Sequence, residues 1–166
     1  MTINYKDINL SYLKYGDSKE VIVILPGWGE TRNTFLEIIN ILMIDYTVYI
    51  IDYPGFGETK FPNYNLTMDD YSKMIIKFLN DLNITNPNII AHSFGGRIAI
   101  LLNSKYNISI KNLILIDSAG IKPKMTLKKK FRLKLYKTLQ SLANYLPKRI
   151  RHKFKTYLFN KFSSSD

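Results

Sequence analysis

A single serine, Ser93, sits in the run NIIAHSFGGRIAIL (residues 88–101), with alanine two places before it and glycines two and three places after it. A serine hydroxyl is a poor nucleophile until a neighbouring base takes its proton. Acyl transfer to it also needs hydrogen-bond donors aimed at the oxyanion that develops. The small neighbours fit one arrangement. A tight turn from a strand into a helix lifts the hydroxyl clear of a sheet and strains the serine backbone. Side chains two before and two after it must then be small, because those positions pack against each other and the adjoining strands. The helix start below offers unpaired N–H groups and a partial positive charge, both favourable to an oxyanion. Alone, such a serine reads as a turn former or helix cap. Its neighbours carry the chemical reading.

The elements needed to hold that turn can be read along the chain. Ile3–Gly16 alternates in period two and turns at Lys6-Asp7, which predicts a hairpin. VIVIL (21–25), YTVYII (46–51), NIIAH (88–92) and LILID (113–117) are apolar runs rich in β-branched residues, the pattern of buried strands. Helices are predicted over 34–43, Met68–Leu82 and Phe94–Tyr106. Thr67 is the N-cap of the second of these, with Asp70 where a full capping box has Glu or Gln. Strands alternating with helices predict an α/β fold, a mostly parallel doubly wound sheet with helices on both faces. Its ligand-facing edge would gather the loops 26–33, 52–62 and 92–96.

Composition narrows the function classes. The chain has 166 residues and no cysteine, which excludes disulfides and thiolate metal sites. No apolar run reaches the ~18 residues of a membrane span, and the first residues carry no leader pattern, so the expectation is a soluble, cytoplasmic chain. The formal charge of +11 is unevenly placed: residues 1–121 sum to −2, whereas 122–166 carry +13. Neither Gly27-Trp28-Gly29 nor Gly55-Phe56-Gly57 continues into a dinucleotide fingerprint, and no Walker-type motif occurs.

The motifs together resemble the α/β-hydrolase superfamily. AHSFGG is similar to its nucleophile elbow, G-x-S-x-G, with Ala91 in place of the first glycine. LPGWGETRNTF (25–35) resembles the oxyanion loop after the third strand, with Pro26 where histidine is usual. IIDYPGFGET (50–59) resembles the Asp-x-x-Gly-x-Gly turn after the fourth, and makes Asp52 a structural residue of that loop. The resemblance spans about residues 3–121. It implies a serine hydrolase acting on an ester, lactone or related acyl bond of a small molecule, without cofactor or metal. Ser93 would be the nucleophile, and the backbone N–H groups of Trp28 and Phe94 the oxyanion hole. Asp117, at the end of LILID, is the candidate triad acid; its competing role is to cap the loop that follows.

The resemblance also implies a general base that the two histidines do not match. His92 lies within the elbow with its ring directed away from the serine, which suits a packing or supporting role. His152, in RIRHKFK, belongs to a basic helical surface. The expectation is therefore an N-terminal portion of the hydrolase fold, 1–121, lacking the last two strands and the catalytic histidine, followed by a basic helical cap segment, 122–166. A complementary C-terminal segment is the expected partner, and LILID the exposed edge that awaits it. The competing readings are a non-catalytic hydrolase-like scaffold, or a lipid- or nucleic-acid-binding protein driven by the basic segment. Leucines and phenylalanines at helical spacing among lysines over 126–161 would suit a membrane surface. A cap helix pair accounts for them equally, and no nucleic-acid reading motif is present.

Overall fold

Lys6, at φ 54°, makes the left-handed turn that joins strand β1 (Thr2–Tyr5) to the longer β2 (Ile8–Tyr15). The pair is antiparallel and places Ile3, Ile8 and Leu10 on the core side. Four five-residue strands follow: β3 (Val21–Leu25), β4 (Thr47–Ile51), β5 (Asn88–His92) and β6 (Asn112–Ile116). The resulting six-stranded sheet has the order β1-β2-β4-β3-β5-β6. The β4-β3-β5-β6 portion is parallel, and the hairpin joins it antiparallel through β2 and β4. The computed structural model describes residues 1–118, 126–145 and 147–163.

Helices cover both faces, as strand–helix alternation requires. On one face, Phe35 and Ile39 pack on Ile22, Ile24, Val48, Ile50 and Ile90. Ile39 belongs to α1 (Leu36–Leu42), which a short 3₁₀ turn at Arg32–Phe35 introduces. On the other face lie α2 (Met68–Asp81) and α3 (Phe94–Ser104). Tyr71, Met74, Ile75 and Phe78 of α2, with Ile98 and Leu102 of α3, pack there against Val23, Leu25, Ile51 and Ile89.

Several details differ from the sequence expectation. The capping box of α2 is complete despite the shorter acid. The Thr67 hydroxyl accepts from the Asp70 N–H at 3.3 Å, while Asp70 Oδ2 accepts from the Thr67 N–H at 3.0 Å and from the Thr67 hydroxyl at 2.6 Å. The Thr67 hydroxyl, followed by Lys6 at 2.9 Å, holds the Asp70 carboxyl well below the usual carboxylate range. Helix α3 stops at Ser104, and Asn107 at φ 53° takes the chain back toward the sheet. Asp117 is not a strand residue: β6 ends at Ile116, and Asp117 turns away at φ 42°.

The chain forms two compact units, Met1–Ile121 and Lys122–Asp166. The second contains α4 (Leu127–Leu142) and α5 (Lys148–Ser163), which pack on each other. Ala143 and Leu158 are buried, whereas Phe131, Leu135 and Leu142 expose an apolar stripe along α4. Leu146, part of the expected helical pattern, lies outside the described residues. No helix among the described residues is long and apolar enough to cross a membrane.

Candidate active site

Ser93 stands between β5 and α3 at φ 44° and ψ −105°. That backbone is one an L-residue reaches only under constraint, at a cost of about 1–3 kcal/mol. The surroundings supply the constraint. The Ser93 N–H donates to the Ile116 carbonyl at 3.0 Å, and the Gly96 N–H donates to the Ser93 carbonyl at 3.2 Å. Ala91 is fully buried. A Cβ on Gly95 would collide with the Leu25 carbonyl oxygen, and one on Gly96 with the Ser118 hydroxyl. Gly95 is therefore required by neighbouring backbone, and Gly96 is crowded by the Ser118 side chain. The Ser93 hydroxyl does not cap α3.

The loop after β3 meets this turn. Phe94 is the first residue of α3, and its ring lies edge-on to Trp28 with centroids 5.1 Å apart. Trp28 also stands edge-on to Phe56 at 5.0 Å. Trp28 is 57% exposed. Beneath it Phe94 packs on Tyr71 and on the buried Tyr53, at 5.1 and 5.6 Å. Burial pushes the Tyr53 hydroxyl well above its usual pKa, so it stays protonated. Among the described residues, neither the Trp28 nor the Phe94 amide donates a backbone hydrogen bond.

The loop after β4 completes the surface. Asp52 is 3% exposed, and its Oδ2 accepts from the Glu58 N–H at 3.2 Å. Gly57, at φ 52°, must be glycine because a Cβ there would strike that carboxylate. Asp52 thus holds its own loop. Arg32 reaches Glu58 at 3.9 Å across the two loops, a partly exposed pair of small energetic weight.

Ser93, Trp28 and Phe94 are brought together. Asp117 lies at the same end of the sheet, one strand over, since His92 pairs with Ile116. It is exposed there. His152 lies on α5 in the other compact unit. The His92 ring is engaged elsewhere: its Nδ1 is 2.9 Å from Glu30 Oε2. Glu30 was not singled out by the sequence motifs, although it stands three residues after Gly27, the spacing at which a side chain can reach back across a turn. Among the described residues no cluster of His, Cys, Asp or Glu could hold a metal ion.

The family model for the alpha/beta hydrolase fold matches residues 20–164. The chain belongs to this family. It is similar to the 2-hydroxy-6-oxo-6-(2'-aminophenyl)hexa-2,4-dienoic acid hydrolase of Metapseudomonas resinovorans, with 27% identity over 122 residues covering 72% of this chain and 42% of that protein. Among solved structures it is similar to an alpha/beta hydrolase fold protein from Burkholderia ambifaria, with TM-score 0.70 and 17% identity, covering 92% of this chain and 55% of that one. It is also similar to Est816, described as an N-acyl homoserine lactone degrading enzyme, with TM-score 0.66 and 17% identity, covering 96% and 65%. At these identities the structural likeness speaks for the fold alone. The chain spans less than half the length of the curated relative and little more than half that of the Burkholderia structure.

Proposed function

We propose that this chain carries the nucleophile half of a serine hydrolase acting on an ester, lactone or related acyl bond. The Ser93 oxygen attacks the acyl carbonyl, and the alkoxide leaving group departs with a proton as the acyl-enzyme forms. Water then releases the acid. The N–H groups of Trp28 and Phe94 cradle the oxyanion, each donor worth about 3 kcal/mol of barrier. The observation that carries this reading is the constrained backbone of Ser93, φ 44° and ψ −105°, at the start of α3. The aromatic surface of Trp28, Phe56 and Phe94 supports an apolar group on the substrate.

A complete cycle needs a base for the Ser93 proton, and His92 is held by Glu30. We assign that base to a complementary polypeptide segment seated along β6, whose Leu113, Ile114, Leu115 and Ile116 are exposed. A fluorophosphonate probe tests the nucleophile. Labelling is expected with the natural chain and lost in Ser93→Ala. With an activated ester the chain alone is expected to give a burst of product without turnover. A natural chain that takes no label overturns the acyl-transfer reading and leaves the non-catalytic scaffold.

A further inference from the structure

Glu30 Oε2 serves two partners at once. It accepts from the Gly27 N–H at 2.5 Å and lies 2.9 Å from His92 Nδ1. A carboxylate oxygen only accepts, so the imidazole presents its Nδ1 hydrogen to it. The side chains are 22% and 28% exposed, sheltered enough for both bonds to persist. The Glu30 N–H donates in return to the Gly27 carbonyl at 3.3 Å, so the turn around Trp28 is closed by backbone and side chain together. A Cβ at position 27 would stand 2.8 Å from Glu30 Oε2 and 3.0 Å from His92 Nδ1, so a side chain there would displace the Glu30 carboxylate. Three groups from two segments therefore converge at Gly27, where a side chain would push the carboxylate aside.

The connection matters because of what each segment carries. Gly27 immediately precedes Trp28, and His92 immediately precedes Ser93. We propose that Glu30 and His92 are positioning residues, a carboxylate–imidazole clamp that fixes the Pro26–Gly27 peptide, one unit before the peptide bearing the Trp28 N–H, against the segment bearing the nucleophile. Oxyanion donors must be aimed in advance to stabilise a transition state. Here one carboxylate oxygen ties the peptide preceding the donor's own to the serine segment, and the Glu30 N–H holds the donor's peptide by its Gly27 carbonyl. The effect on chemistry rests on the acyl-transfer reading above; the effect on the loop does not.

The two parts are separable by experiment on the full chain. Hydrogen exchange at the Gly27 amide, followed by NMR, reads the clamp itself. His92→Gln removes no group that bonds that amide directly, yet it is expected to speed Gly27 exchange at least tenfold by freeing Glu30. Glu30→Gln is expected to do the same, while the Glu58 amide, bonded to Asp52, stays unchanged as an internal control for folding. Unchanged Gly27 exchange in both variants overturns the clamp. The rate of fluorophosphonate labelling reads its consequence. Each single variant is expected to label about tenfold more slowly, and the double variant no more slowly than the worse single one. Additive losses, or none, overturn the positioning role, since two independent structural defects add. If the natural chain takes no label, the acyl-transfer reading fails and Gly27 exchange still decides the clamp.

Discussion

Strands β5 and β6 lie side by side and read alike, NIIAH and NLILI, yet their surroundings are opposite. They pair in register from Asn88↔Asn112 to His92↔Ile116, and the Asn112 amide donates to the Asn88 side-chain oxygen at 2.8 Å. Each is followed by a residue of positive φ, Ser93 at 44° and Asp117 at 42°. Strand β5 has a neighbour on both sides, and Ile89, Ile90 and Ala91 are buried. Among the described residues strand β6 pairs only with β5, and its four apolar residues are 37–53% exposed. The difference teaches what makes a turn fit for chemistry. A distorted backbone is useful where packing over-determines it, and packing surrounds Ser93 but not Asp117.

Truncation inside the two strands exposes this difference most strongly. Ile89→Ala removes a fully buried side chain and is expected to cost about 2–5 kcal/mol. Ile114→Ala, at a residue 53% exposed, is expected to change stability by no more than about 0.5 kcal/mol. Urea midpoints of the two variants check both values. Comparable losses would mean that β6 is covered in solution.

A smaller effect addresses the turns. Glycine reaches the Ser93 conformation without steric cost, so Ser93→Gly is expected to recover part of the strain and stabilise the fold by about 1 kcal/mol. Some of the gain is offset by the extra freedom of glycine in the unfolded chain. Asp117→Gly is expected to give less, because an exposed turn can relax. Thermal midpoints compare the two, and a loss of stability in Ser93→Gly would show that the serine backbone carries no strain.

Much of this arrangement was legible in the sequence. The β-branched runs located β3 and β5 to the residue, because an apolar run of that length between turn residues has few other uses. Gly95 and Gly96 announced close packing, and the packing is there. The exposure of β6 followed from counting strands, since its residues alone look as buried as those of β5. The capping box of α2 was underestimated: aspartate is shorter than glutamate, but Asp70 reaches both groups of Thr67. Glu30 was missed for a different reason. A carboxylate that bonds an amide three residues back and an imidazole 62 residues ahead leaves no periodic trace. Such contacts depend on which loops the topology brings together.

The smallest expected stability change bears most directly on the role of β6. An exposed apolar edge strand offers unpaired backbone groups and side chains to any other strand, including that of a second copy. Ile114→Lys places a charge on the most exposed apolar residue of that strand, where water already reaches the side chain. The fold is therefore expected to keep its stability within about 0.5 kcal/mol. Self-association, measured by sedimentation velocity over a concentration series, is expected to fall. The same substitution at Ile90, on the adjoining strand, would bury a charge and unfold the chain. If association persists in Ile114→Lys, the copies meet elsewhere. The exposed stripe of Phe131, Leu135 and Leu142 on α4 is then the surface to charge next.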